Sequence, residues 1–383
     1  MRRWIWLGFF VAAALVMMSL AAAAAAQTWM RTFEGPGYGA LFGVTLAPNG
    51  EILAVGATNH RHVAPYSGDA LLMRLTLDGT VVWERAWGGS GYEQAWAVTP
   101  AEDGGFLVFG ETDSFGAGDR DFFLLKIADD GSEAWVRTYG RAHREWPYGM
   151  LPLAGGDLLI YGFTTAGDGG RQQDAVRTTA SGEVVWEYIA GDAREEFVLD
   201  AIETSEGDLV LCLCIDEDGG LVKLDAEGNV LWSKRFELPG WQFPSCIAPA
   251  DGGEFLLAGF SMSETPRRQA DTWLVRCSAE GEVVWQTTFG DPASDDYAQS
   301  ILPLGDGTYL IGGLGNGMPL SLVDEKGNVL WNRLLAGSRV HGAEDLLALE
   351  NGGVVIPGFV QITNGRSYDA ILVRTDAEGR VSD

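Results

Sequence analysis

Seven positions in this chain stand immediately before a recurring apolar stretch: Gly39, Glu93, Glu145, Glu196, Gln242, Asp296 and His341. Five of the seven are acids or histidine. Gathered at one mouth, such side chains could bind a cation such as calcium through carboxylate oxygens. They could also hydrogen-bond sugar hydroxyls beside the aromatics Trp146, Tyr148, Trp241 and Tyr297. Two closely spaced carboxyls could serve as acid and base on a glycosidic bond. Against these stands a plainer role. An acid that returns in most units of a repeat is expected to cap local backbone N–H groups, because an active site is needed only once.

Other groups carry less. His60 and His62 flank Arg61 and could supply two metal ligands, with His341 as a third, but zinc needs three or four in defined geometry. A solvated loop is the expectation there. Asp216 and Asp218 in "CIDEDGG" lack the remaining ligands of a twelve-residue calcium loop. The stretch "DSFGAGDRD" (113–121) packs three Asp and two Gly. Its last residue belongs to a series, Asp69, Asp121, Asp174, Asp218, Asp271 and Asp369, that opens the third apolar stretch of six units. That recurrence predicts a hydrogen-bonding device and leaves Asp113 and Asp119 as the ligand candidates in the stretch. No nucleophile elbow or phosphate-binding glycine loop is present.

The elements that must position these residues form a repeat. Trp29, Trp83, Trp135, Trp186, Trp232, Trp285 and Trp331 follow one another at 46 to 54 residues. Each unit holds four short apolar stretches bounded by Gly and Asp, as in "EQAWAVTP", "GGFLVFGET", "RDFFLLKIA" and "SEAWVRTYG". These read as four strands, A to D. Seven units of four strands predict an all-β fold, a seven-bladed β-propeller with antiparallel blades. The first segment, "TWMRTF", is a lone D-type strand, whereas the last unit has only A, B and C. Thr28 to Phe33 is therefore expected to complete the last blade and close the ring. The tryptophans, on strand D, are expected to pack between blades.

The repeat W-x-R-T-Y/F-G-G…E-D-G-G-F-L-V-x-G-x-T resembles that of exported bacterial and archaeal β-propeller repeat proteins. More loosely it is similar to quinoprotein-type propellers, and this resemblance implies that strand A is innermost and lines a channel. Adjacent cysteines and an eighth blade, typical of quinone-dependent dehydrogenases, are missing. The Gly-to-Trp spacing differs by one from the sialidase Asp-box, which would turn the ring to the opposite face.

Residues 1–26 read as a signal peptide: a basic start, an apolar run and six alanines. Residues 27–383 are then one propeller domain, periplasmic or secreted, with no membrane span. Without Arg2 and Arg3 the chain carries 24 basic and 53 acidic residues, a net charge of −29. Such a surface excludes nucleic acid as a partner. Cys212, Cys214, Cys246 and Cys277 are expected as buried thiols, with a bond from Cys212 or Cys214 to Cys246 as the alternative.

The A–B and C–D turns are tight and glycine-bearing, and share one face. The B–C and D–A connections on the other face are longer and varied, and function concentrates on such loops. The expected function is non-catalytic binding of a protein or glycan there, with no cofactor beyond a divalent cation. The alternative is a carbohydrate-active hydrolase or lyase using Glu93, Glu145, Glu196 or Asp296.

Overall fold

The computed structural model describes residues 28–34, 39–58, 68–167, 169–191, 195–236, 240–262, 269–337, 339–362 and 368–382. The expected leader, His60 and His62 lie outside them. The described residues form seven antiparallel sheets. Blade two runs Glu93–Pro100, Phe106–Thr112, Asp121–Ile127 and Glu133–Tyr139. Its two middle strands are buried at every residue, which is why they read as continuous apolar runs rather than as an alternation.

The ring closes as the lone first strand predicts. Trp29–Phe33 pairs with Tyr368–Arg374, in register from Trp29 opposite Arg374 to Phe33 opposite Ala370. A free sheet edge is thereby covered by the other end of the chain.

The strand-D tryptophans latch each blade to the next. A Cβ added at the C–D turn glycine would meet the indole of the preceding blade: 3.2 Å at Gly79 from Trp29, 2.9 Å at Gly131 from Trp83, 2.6 Å at Gly379 from Trp331. The same contact joins Gly182, Gly228, Gly281 and Gly327 to Trp135, Trp186, Trp232 and Trp285, so all seven junctions carry it. These glycines have positive φ, 79 to 83° except at Gly379, where it is 71°, so two demands meet at one residue. Several indoles also donate into the same turn, as Trp29 Nε1 does to Leu77 O (3.0 Å) and Trp83 Nε1 to Asp129 O (3.1 Å). The arginine across the strand from Trp29 adds a second donor, Arg374 Nη1 to Leu77 O at 2.7 Å.

The innermost strands share a second device. Six of them carry a β-bulge three residues after the recurring polar position, between Leu41 and Gly43, Ala95 and Ala97, Pro147 and Gly149, Val198 and Asp200, Pro244 and Cys246, and Ala298 and Ser300. Strand B accommodates it with glycine: a Cβ on Gly110 would lie 2.0 Å from Gln94 O, and one on Gly162 1.9 Å from Trp146 O. In blade seven the strand breaks at this point into Val340–Gly342 and Leu347–Ala348, with Ala343 at φ 67°.

All four cysteines are free and buried. No helix among the described residues is long and apolar enough to cross a membrane.

Candidate functional site

The recurring acids are held by the fold. Glu93 is fully buried. It accepts from Gly89 N (2.8 Å), Thr112 Oγ1 (2.8 Å) and Ser114 N (3.2 Å). Glu145 repeats the pattern with Thr164 Oγ1 (2.7 Å) and Arg141 N (3.3 Å). Glu196 accepts from Gln173 Nε2 at 2.7 Å, and Asp296 from Asp291 N at 2.6 Å. Gln242 is buried, and His341 stacks on Phe359 at 5.3 Å. Glu93, Glu145 and Asp296 each tie the end of an inner strand to the connection that delivers it, whereas Glu196 reaches Gln173 on the third strand of the preceding blade.

The Asp that opens strand C joins them. A Cβ on Gly140 would sit 1.8 Å from Asp121 Oδ1 and 2.5 Å from Glu145 Oε2. Gly88 stands likewise between Asp69 and Glu93, and Gly290 between Asp271 and Asp296. Two acid series some two dozen residues apart in sequence thus converge at the blade junctions, where the Asp121 carboxyl bears on that of Glu145. In "DSFGAGDRD", Asp121 also accepts from Gly118 N at 3.1 Å, and Asp113 pairs with Arg120 at 2.6 Å.

Burial pushes Glu145 up to about 7 and raises Asp121, Asp69 and Asp296; neighbouring carboxyls add to the shifts of Glu145, Asp69 and Asp296. Groups raised on folding bind more protons in the native chain. Their stabilisation is complete below the ordinary carboxylate range and is lost as pH rises through about 7. Turn carboxylates such as Asp130, Asp225 and Asp324 are lowered by hydrogen bonds from Ser132, Asn229 and Asn328, and their contribution is lost on acidification. The melting temperature is therefore expected to peak near about pH 5 and to fall by roughly 5 °C by about pH 8. Scanning calorimetry across that range checks this; a melting temperature that climbs from pH 5 to pH 8 contradicts it.

The channel itself is lined three residues further along each inner strand. A cavity of about 470 Å³ takes wall residues from all seven blades. The bulge turns Phe42, Trp96, Tyr148, Leu199, Ser245 and Gln299 into it, and the broken strand of blade seven supplies Glu344 at the corresponding place. Phe42 and Trp96 stack at 4.9 Å. This ring does not repeat: three aromatics on blades one to three face a hydroxyl, an amide and a carboxyl on blades five to seven. Among the candidates expected from the sequence, only Tyr148 lies in it. The signal that could have found the others is the same alignment read for variation instead of recurrence.

One position deeper, Asp200 and Asp345 brace the blades. Asp200 accepts from Tyr161 Oη (2.8 Å), Ala201 N (2.8 Å) and Ile247 N (2.9 Å), spanning blades three to five. Asp345 accepts from Leu346 N (2.8 Å) and from Val44 N (2.9 Å) in blade one. Burial raises both to about 6 and Glu344 to about 7.

On the long-loop face, Trp146 stacks on Phe163 (6.3 Å, 5° between planes) beneath Arg120 and Arg144, at 5.3 and 4.9 Å. Trp241 is 39% exposed and contacts Phe260, which meets Tyr297 at 4.8 Å. No cluster of three or more His, Cys, Asp or Glu residues suited to a metal occurs among the described residues.

The closed ring and its tryptophan latches define the class: a seven-bladed propeller loosely of the quinoprotein type. The family described as outer membrane protein assembly factor BamB matches residues 121–293 and 180–380, and the chain belongs to that family. No curated protein matches it. Among solved structures it is similar to puromycin hydrolase, with 16% identity, a TM-score of 0.58, and coverage of 90% of this chain and 53% of that one. Drosophila Plexin A, solved in complex with Semaphorin 1b, gives 8%, 0.55, 91% and 86%. The Pan2 WD40 domain of Neurospora crassa gives 10%, 0.53, 88% and 89%. At such identities these likenesses establish the fold alone. This chain spans about half the length of puromycin hydrolase.

Proposed function

We propose that the chain is an exported envelope scaffold that docks a protein partner on its long-loop face, without catalysis. The observation that carries this reading is the exposed tryptophan and the arginine-flanked tryptophan gathered on that face of a strongly acidic chain. Trp, Tyr and Arg are the residue types that dominate interface energetics. The family description, an assembly factor for outer membrane proteins, supports a protein as the partner and the periplasm as the place. Trp146, Trp241, Tyr297 and His341 are the contacts we assign. The hydrogen bonds that occupy Glu93 and Glu145 speak against the hydrolase alternative.

The test is quantitative capture of an envelope protein by the immobilised mature chain. Trp146→Ala and Trp241→Ala are each expected to weaken retention about tenfold, the size of an interface hot spot. Variants of the opposite face, such as Lys326→Ala, should leave it unchanged. Equal loss from both faces, or retention of glycan in place of protein, contradicts the reading.

A further inference from the structure

We propose that the central channel is a binding site for a neutral saccharide of one or two units, held between Phe42, Trp96 and Tyr148 on one wall and Ser245, Gln299 and Glu344 on the other. The site lies inside the ring and does not rest on docking at the loop face.

Four observations lead here. First, the wall is unique in a molecule that otherwise repeats itself. Each inner strand bulges at the same place, yet the residue delivered differs from blade to blade. Second, the wall keeps polar atoms without partners. Trp96 Nε1 and Ser245 Oγ are buried and make no hydrogen bond among the described residues. A buried donor or acceptor left so is costly to the fold, and a ligand hydroxyl that reached it would relieve that cost. Third, blade seven accepts an unfavourable backbone, Ala343 at φ 67°, and breaks its strand where Glu344 enters the cavity. Strain of this kind persists where surrounding structure enforces it, and clusters at ligand sites.

Fourth, the chemistry selects the ligand. Among the described residues no basic side chain lines the cavity, so an anionic ligand would meet carboxyls with no counter-charge. Asp200 and Asp345 already serve the backbone with both oxygens. The groups that remain are an indole N–H, a hydroxyl, an amide and a carboxyl facing aromatic rings. That mixture of donors and acceptors suits hydroxyls, and the rings suit the C–H faces of a pyranose. About 470 Å³ falls in the range of small-molecule sites.

The experiment is saturation-transfer NMR followed by calorimetry at about pH 8, using the mature chain. The probes are glucose, N-acetylglucosamine, maltose and cellobiose, with choline as a cation and glucuronate as an anion. At least one neutral sugar is expected to bind and neither ion to compete. Trp96→Phe keeps the ring and removes the N–H; Glu344→Ala removes a carboxyl that makes no hydrogen bond among the described residues. Each should weaken binding about tenfold, the equivalent of one hydrogen bond to a charged or buried group, at an unchanged melting temperature. Silence from every sugar overturns the proposal, as does binding of choline alone. A sugar whose affinity is the same in both variants also overturns it, because its site then lies elsewhere.

Discussion

A chain that begins at residue 35 will not unfold cooperatively. The deletion removes Trp29–Phe33 and leaves Tyr368–Arg374 as an open edge. It also removes an indole that is 8% exposed and packs among Leu41, Leu75 and Leu372. Loss of a buried tryptophan alone costs about 3–5 kcal/mol. Five paired residues and the indole's hydrogen bond to Leu77 go with it. The sum approaches the whole stability of an ordinary domain, about 5–15 kcal/mol. Urea unfolding followed by circular dichroism should show a sharp transition for the chain from residue 27 and a broad, early one for the truncation. Trp29→Ala, which keeps the strand, should retain the sharp transition at a lower midpoint. A truncated chain with the full-length midpoint would mean that closure contributes little.

Asp200→Ala is the single substitution expected to cost most inside the ring. It strips partners from Tyr161 Oη, Ala201 N and Ile247 N, three donors on three consecutive blades. Each buried orphan costs about 1–3 kcal/mol, so a loss of roughly 4 kcal/mol is expected. Asp200→Asn should recover part of it at about pH 8, because Asn keeps one acceptor and burial disfavours the ionised form. The comparison separates the hydrogen bonds from the charge. A stability within experimental scatter of the parent for Asp200→Ala would contradict the bracing role.

The architecture was legible because a propeller writes each structural requirement seven times. The G-x-x-x-W spacing carries both halves of the inter-blade latch, the turn glycine of one blade and the indole that covers it from the preceding blade. The unpaired first strand, set against a last unit without its D strand, carried the closure. The recurring acids were also visible, and their repetition already argued for a structural role; the hydrogen bonds of Glu93 and Glu145 supply its form. Their pairing with the strand-C aspartates was hidden, because it joins blade to blade across a connection whose path no local pattern specifies.

The channel wall was hidden for a different reason. A β-bulge adds one residue to a strand and shifts the facing of every residue beyond it, so strict alternation assigns Trp96 to the wrong side, and Tyr148 stood among the candidates only as an aromatic beside the recurring acids. The bulge leaves its trace in strand B, as Gly110 and Gly162, and not in the residues it re-aims. Recurrence is therefore the mark of the scaffold here, and variation at a fixed structural position is the mark of a site.

Glu145 and Glu344 test that distinction most directly. Both are carboxyls pushed up to about 7 by burial. One occupies the repeated position at a blade junction, the other the unrepeated channel ring. Saccharide affinity should be measured side by side at about pH 8 for Glu145→Gln and Glu344→Gln. The prediction is an unchanged affinity for Glu145→Gln and a loss of about fivefold for Glu344→Gln, the scale of one charge-assisted hydrogen bond weakened. Loss of binding in Glu145→Gln with full affinity in Glu344→Gln would contradict it and return the site to the ring of repeated acids.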